Sequence, residues 1–517
     1  MVNPMAKLRR NVVANYISQI YAALAGILSV PVYAQHLGIE AFGVIGFYIT
    51  LQALFQVLDV GLSTTLSRES SLYSADRSRQ AIFTRVKSIL VRFFFGVAAF
   101  SIVTFFLSAE WISTDWIKAN QIAPSTIELA LQLMGVIIAF RWLSCLYRGM
   151  IIGFELQVWL AKLNIIVTTA RFLIPLPVII YFEAGLVFYF YMQLVVAIAE
   201  FLFVYLKIRW QLAIIQTNEQ RSLANDQNEF QRILKFAYGV GTTSLIWVIL
   251  TQTDKLVLSK VLPLYEYGQF TMAVTLANGI NLITGPITMA ILPRMTSIAS
   301  TGNKAELLLI YRRLTQLVVV IVTPVAIVLT LTAYSTLYAW TGNTELSRNT
   351  ALILVIYVFG NMLMSIGAAA YALQYSLGHI RMHVIGNIIS VLVYVPCVTL
   401  AALEYGVVGA ASVWLLVNLL YLTLWIPRIH NIMAPGINRQ WFLNDIGKII
   451  LATSVPGALL LWLQIDFYKL SRTASFIAIF GLGFASLSFS ILAAKYSRDL
   501  IRNMAWRTIR RIRDNSR

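Results

Sequence analysis

Apolar runs of about 20 residues follow one another along the whole chain, separated by short polar or turn-forming stretches. Each run is long enough to cross the roughly 30 Å hydrocarbon core of a bilayer as a helix. Backbone groups in lipid must be satisfied within the segment, so the pattern calls for helices, and the alternating pattern of a membrane barrel is absent. About fourteen helices are expected from apolar length. They centre near Ile20, Thr50, Ala99, Gly135, Ala170, Val195 and Leu245, then Thr275, Ala326, Met362, Leu392, Asn418, Ser454 and Ala485. The first run exceeds the h-region of a cleaved signal and is read as the first span. The outer loops are mostly under about 15 residues, which leaves no extracytoplasmic domain.

Two halves are expected. The polar stretch from Lys207 to Lys235 joins an N-terminal lobe, residues 1–225, to a C-terminal lobe, residues 226–430. Residues 431–517 add two helices and a basic cytoplasmic tail. Leu37-Gly38-Ile39-Glu40-Ala41-Phe42-Gly43 and Leu262-Pro263-Leu264-Tyr265-Glu266-Tyr267-Gly268 share a first leucine and a final aromatic-glycine pair. Each follows a long span and opens another, as in a transporter built from repeats. The tail from Lys495 to Arg517 reads equally as an amphipathic helix on an anionic leaflet or as a simple topology-fixing segment.

The composition agrees: 59% of the 517 residues are hydrophobic and 12% charged, with a mean hydropathy of +0.75. A net charge of +18 suggests nucleic acid in a soluble protein, but here the basic residues sit in many short loops, so no nucleic-acid partner is expected. The connections on one side hold about 31 Lys and Arg against about five on the other, which puts both termini in the cytoplasm and favours an even helix count. The five outer ones are Lys118, Lys260, Arg348, Lys469 and Arg472.

Charge inside a span costs at least about 2.5 to 3.5 kcal/mol at a helix centre and marks candidates that face a cavity. Arg141 lies seven residues before Arg148 on one helical face, about 10 Å deeper. Arg171 lies at similar depth in the next span. Two guanidiniums so placed could hold a diphosphate bidentately; Arg141 could instead pair with Asp59 or Glu200. Arg92 snorkels toward the near interface. Asp254 and Lys255 are neighbours on a helix, so at most one faces a cavity. Asp59 is too deep to snorkel easily.

Prolines 31, 175, 177, 286, 324 and 396 bend spans, as hinges or as bland kinks. Cys145 and Cys397 make no metal or disulfide pattern. The four histidines are not spaced as a metal site, no cofactor is implied, and no catalytic constellation or nucleotide-binding loop occurs. The chain does not read as an enzyme.

Pro31-Val32-Tyr33-Ala34, Leu37-Gly38-x-Glu40-x-Phe42-Gly43 and Leu58-Asp59-x-Gly61-Leu62, followed by Arg68-Glu69, resemble the opening of O-antigen and other polysaccharide flippases (Wzx-like). These belong to the superfamily of multidrug, oligosaccharidyl-lipid and polysaccharide exporters. Thr253-Asp254-Lys255-Leu256-Val257-Leu258 with Tyr267-Gly268 resembles the start of that family's second half, although the family often has Gly where Pro263 stands and some members have twelve spans. The resemblance implies an all-α, two-lobed bundle of the MATE-like exporter fold in the bacterial inner membrane. It implies alternating access that moves an undecaprenyl-diphosphate-linked oligosaccharide outward. Arg141, Arg171 and Lys255 are then the candidate diphosphate ligands, and Asp59, Asp254 and Glu200 the acids for a coupling proton or sodium ion. The lipid-linked oligosaccharide, that ion and membrane lipids are the expected partners, with a polysaccharide polymerase and chain-length proteins beside them. A cation-coupled drug exporter, a flippase for a lipid-linked peptidoglycan precursor and, further off, a membrane polymerase remain alternatives.

Overall fold

The computed structural model describes residues 4–57, 59, 61–215, 245–463 and 471–495. The expected division at 225 and the basic tail beyond 495 lie outside these residues. Twelve described stretches are long and apolar enough to cross a membrane. Residues 245–261 are helical as well. The stretch Arg381–Met433 counts as two helices, because Gly406 within it has φ 57° and ψ −138°, a conformation open to glycine alone. All fourteen expected centres fall on helices, and no strand occurs among the described residues. The chain divides into two compact units, Met1–Thr271 and Met272–Arg517.

The first unit opens with α1 (Pro4–Leu37) and α2 (Ile39–Val57), split by Gly38 at φ 91°. The chain breaks again at Asp59 and resumes as α3 (Leu62–Ala75). Then follow α4 (Gln80–Trp111), α5 (Pro124–Gly153), α6 (Gln157–Thr168), a π-helical turn at Thr169–Leu173, α7 (Pro175–Phe182) and α8 (Leu186–Ile215). Residues 245–261 form α9, and α10 (Leu264–Ala277) crosses the unit boundary. The core lies among α3, α4, α5 and α8: Phe94 stacks on Trp142, Tyr73 on Phe83, and the Trp142 indole N–H donates to the Phe94 carbonyl at 3.1 Å. Gly149 and Gly153 let α3 lie directly on α5, since a Cβ at either would fall 2.5 and 2.2 Å from the Ser63 and Ser67 carbonyl oxygens.

The two repeated motifs meet inside this unit, and they meet reciprocally. Gly43 closes the first and faces the Leu264 carbonyl, the third residue of the second; Gly268 closes the second and faces the Ile39 carbonyl, the third residue of the first. A Cβ would come within 2.7 and 2.2 Å of those oxygens. Glu40, also in the motif, is 2% exposed. Its carboxylate accepts from the backbone N–H groups of Asn120, Gln121 and Ile122 at 3.0, 2.8 and 3.3 Å, so it anchors the turn before α5.

The second unit comprises α11 (Gly279–Ser300), α12 (Lys304–Leu331), α13 (Ala333–Thr341), α14 (Thr344–Ser376), α15 (Arg381–Leu420, two helical segments parted at Gly406), α16 (Ile426–Met433), α17 (Lys448–Trp462) and α18 (Arg472–Ala493). Asn303 and Asn343 cap α12 and α14 by accepting from Glu306 N and Leu346 N. The last two helices pack on each other and on α12. Arg312 of α12 grips the buried Asp445, just before α17, with two hydrogen bonds of 2.6 and 2.9 Å, and Arg472 of α18 donates to the Ala339 carbonyl. At mid-helix, Asn361 joins Asn278 and the Trp414 indole at 3.1 Å each. Asn361 stands as far from the start of α14 as Arg141 does from the start of α5. Both are polar positions in mostly apolar helices, an amide in α14 and a guanidinium in α5.

Candidate functional site

The site begins with two prolines. Pro175 has no N–H, so the carbonyl four residues back, that of Arg171, loses its helical partner. The chain answers with the π-helical turn, closed by Ile174 N on Thr169 O at 3.0 Å. Side chains bond the carbonyls of this turn: Gln193 Nε2 donates to the freed Arg171 O at 3.0 Å, and the Tyr33 hydroxyl donates to Phe172 O at 2.9 Å. With its nitrogen so used, Gln193 turns its oxygen to the guanidiniums. Arg171 Nε donates to Gln193 Oε1 at 3.2 Å, and Arg141 Nη2 donates to the same oxygen at 3.1 Å. Arg141 Nη1 donates to Gln52 Oε1 at 3.2 Å, while its Nε is buried without a hydrogen-bond partner among the described residues.

Both arginines are held by neutral oxygens, which fix geometry without cancelling charge. One turn pair along α5, Arg148 does find a carboxylate: it donates to Glu200 Oε1 at 2.7 Å and to Asn164 Oδ1 at 2.6 Å. Arg141, Arg148, Arg171, Asn164 and Glu200 line a cavity of about 340 Å³, together with Ser18 and Gln19 of α1 and Gln52 and Gln56 of α2. Three guanidiniums against one carboxylate leave two positive charges in excess along the lining. Such a chamber favours a compact dianion with oxygens on more than one side.

The structure brings Arg141, Arg171 and Glu200 together around this cavity. It pairs Glu200 with Arg148, not Arg141. Asp59, Asp254 and Lys255 are not among the lining residues. Asp59 Oδ1 accepts from Ser63 N at 3.0 Å and Ser63 Oγ at 2.7 Å, capping the start of α3. Lys255 donates to Thr251 O at 2.6 Å and to Asp254 Oδ1 at 3.2 Å. The two neighbours were expected to face apart; the long lysine stem instead folds back onto the adjacent carboxylate. Sequence reasoning missed Gln193 and Gln52, which organise the arginines. Their signal was a glutamine deep in an apolar span, where an amide needs partners as much as a charge does. Among the described residues no group of His, Cys, Asp and Glu could hold a metal ion.

The fold is similar to those of known transporters. A structure of the lipid II flippase MurJ in an inward closed conformation matches with a TM-score of 0.71 at 14% identity, over 95% of this chain and 100% of that one. An inward-facing multidrug resistance MATE family transporter of the MOP superfamily matches at 0.65 and 14%, over 80% and 98%. A MOP superfamily transporter from Pyrococcus furiosus matches at 0.55 and 15%, over 83% and 96%. At these identities the likeness is one of fold. No curated protein sequence matches this chain. Residues 8–299 match the family model described as polysaccharide biosynthesis protein, more than half of the chain, and the protein belongs to that family.

Proposed function

We propose that the protein is a flippase that moves an undecaprenyl-diphosphate-linked oligosaccharide repeat unit across the bacterial inner membrane for polysaccharide or O-antigen assembly. The observation that carries this reading is the charge of the cavity: two positive charges in excess, with Arg141 and Arg171 converging on one amide oxygen. A diphosphate esterified at both ends carries one negative charge on each phosphate. It can replace the Gln193 oxygen as acceptor for both arginines. Membership of the polysaccharide biosynthesis family supports the glycan part of the cargo.

Transport runs by alternating access, with both termini cytoplasmic, and is driven by a proton or sodium ion at Asp59, Asp254 or Glu200. Lys255 serves as a further cation when the cargo passes Asp254. The lipid-linked oligosaccharide, the coupling ion and membrane lipids are its partners, and a polymerase and chain-length proteins take over the product. A second reading, a flippase for a lipid-linked peptidoglycan precursor, shares the diphosphate and is supported by the likeness to the lipid II flippase fold. A cation-coupled drug exporter fits the excess of arginine less well.

Complementation tests the proposal. In a host that lacks its own copy, the gene restores surface polysaccharide, and Arg141→Ala with Arg171→Ala at normal protein level does not. Restored drug tolerance without restored polysaccharide would replace this reading with the exporter.

A further inference from the structure

The part of the cavity lining that comes from α1 and α2 is a polar wall without charge: Ser18, Gln19, Gln52 and Gln56. Asn11, Asn15, Ser18 and Gln19 form one polar stripe on the first span at helical spacing. Neutral polar side chains in a span are expensive unless they face one another or a cavity.

The hydrogen bonds already made fix what this wall offers. Arginine can only donate, so Gln52 must turn its oxygen to Arg141, and its amide nitrogen, with two N–H groups, makes no bond among the described residues. Gln19 spends its nitrogen on Asn15 Oδ1 at 3.2 Å, which leaves its oxygen as an acceptor. Ser18 donates to the Asn15 carbonyl at 2.9 Å and keeps its lone pairs. Donor and acceptors thus line the same cavity of about 340 Å³ as the guanidiniums. Sugar hydroxyls need that pairing, since each both donates and accepts.

We infer that Ser18, Gln19 and Gln52 bind the first sugar of the cargo, the one bonded directly to the diphosphate, and set the selectivity for it. This rests on the diphosphate reading of the arginine wall. The anionic group and the ring are joined by a single bridging oxygen, so a diphosphate seated on Arg141 and Arg171 holds that ring within the cavity these residues share. Sugars farther along the chain do not touch these residues.

The test compares two probes of equal charge on the purified protein in lipid nanodiscs: methyl farnesyl diphosphate, without a sugar, and a panel of farnesyl-diphosphoryl monosaccharides. The wild type binds at least one monosaccharide probe about tenfold more tightly than the methyl ester. Ser18→Ala and Gln19→Ala, which touch neither arginine, each cut that ratio by about threefold or more, and together they bring it to about one. Arg171→Ala weakens both probes alike and leaves the ratio in place. A wild type that binds the methyl ester but gains nothing from any sugar overturns the inference alone, as does a double variant that keeps the full ratio. Failure of the wild type to bind either probe overturns the diphosphate reading as well.

Discussion

Arg141 and Arg171 donate to one atom, Gln193 Oε1, at 3.1 and 3.2 Å. Like charges so close repel, and a neutral acceptor cannot compensate them. The arrangement persists because Gln193 is itself pinned from behind by the Arg171 carbonyl that Pro175 left without a partner. The fold holds two guanidiniums ready for an anion.

Gln193→Leu removes that organiser. It frees both guanidiniums and strips the Arg171 carbonyl of its donor, a loss of about 1–3 kcal/mol for a buried group left unsatisfied. The expected result is a lower thermal midpoint and lost transport. Gln193→Glu also gives up the donor to the Arg171 carbonyl, but it keeps an acceptor for both arginines and pairs with their charge, so it loses less stability than Gln193→Leu and binds a prenyl diphosphate more weakly than the wild type. A thermal melt with and without that ligand separates the two variants.

Pro175→Ala restores the N–H that a regular helix needs at Arg171 O. The π-helical turn then tends to relax to α-helical geometry, which rotates Arg171 away from Gln193. Stability is unchanged or higher, and transport falls at least tenfold. A melting curve beside a complementation assay checks this pairing of outcomes; full transport would show that the turn does not position Arg171.

The Arg148 to Glu200 pair is the one compensated charge in the cavity. Arg148→Ala leaves the Glu200 carboxylate, 7% exposed as a residue, without its cation and costs about 3 kcal/mol or more. Adding Glu200→Gln recovers most of that loss. A double-mutant cycle read by denaturation measures the coupling, and additive losses would argue against a pair.

Gly268→Ala places a Cβ against the Ile39 carbonyl, where 2.2 Å is too close for carbon and oxygen. Overpacking of this kind costs about 1–3 kcal/mol. Gly43→Ala meets the Leu264 carbonyl at 2.7 Å and costs less. The difference in melting temperature between the two variants tests the reciprocal contact.

Much of the fold was legible because the apolar runs are set by bilayer thickness, a constraint that acts on each segment alone. Arg141, Arg171 and Glu200 were legible for the same reason: charge in a span has few inexpensive explanations. Pairing was not. Arg148, placed by sequence at a boundary, takes Glu200 because α5 and α8 run side by side there, and spacing along one helix says nothing of register with another. Gln193 and Gln52 escaped notice because an amide costs far less than a charge in an apolar span. Lys255 reaches Asp254 within its own helix through a flexible stem, a choice of rotamer that no sequence pattern encodes.

In the proposed function, the cavity's excess positive charge carries a lipid diphosphate across the membrane. Translocation of a prenyl-diphosphate-linked saccharide in proteoliposomes tests it most directly, with the wild type beside Arg141→Ala/Arg171→Ala at equal reconstituted amounts. The wild type moves the cargo, the double variant falls to the rate of empty liposomes, and Lys at both positions restores part of it. Translocation by the double variant at the wild-type rate would contradict the account.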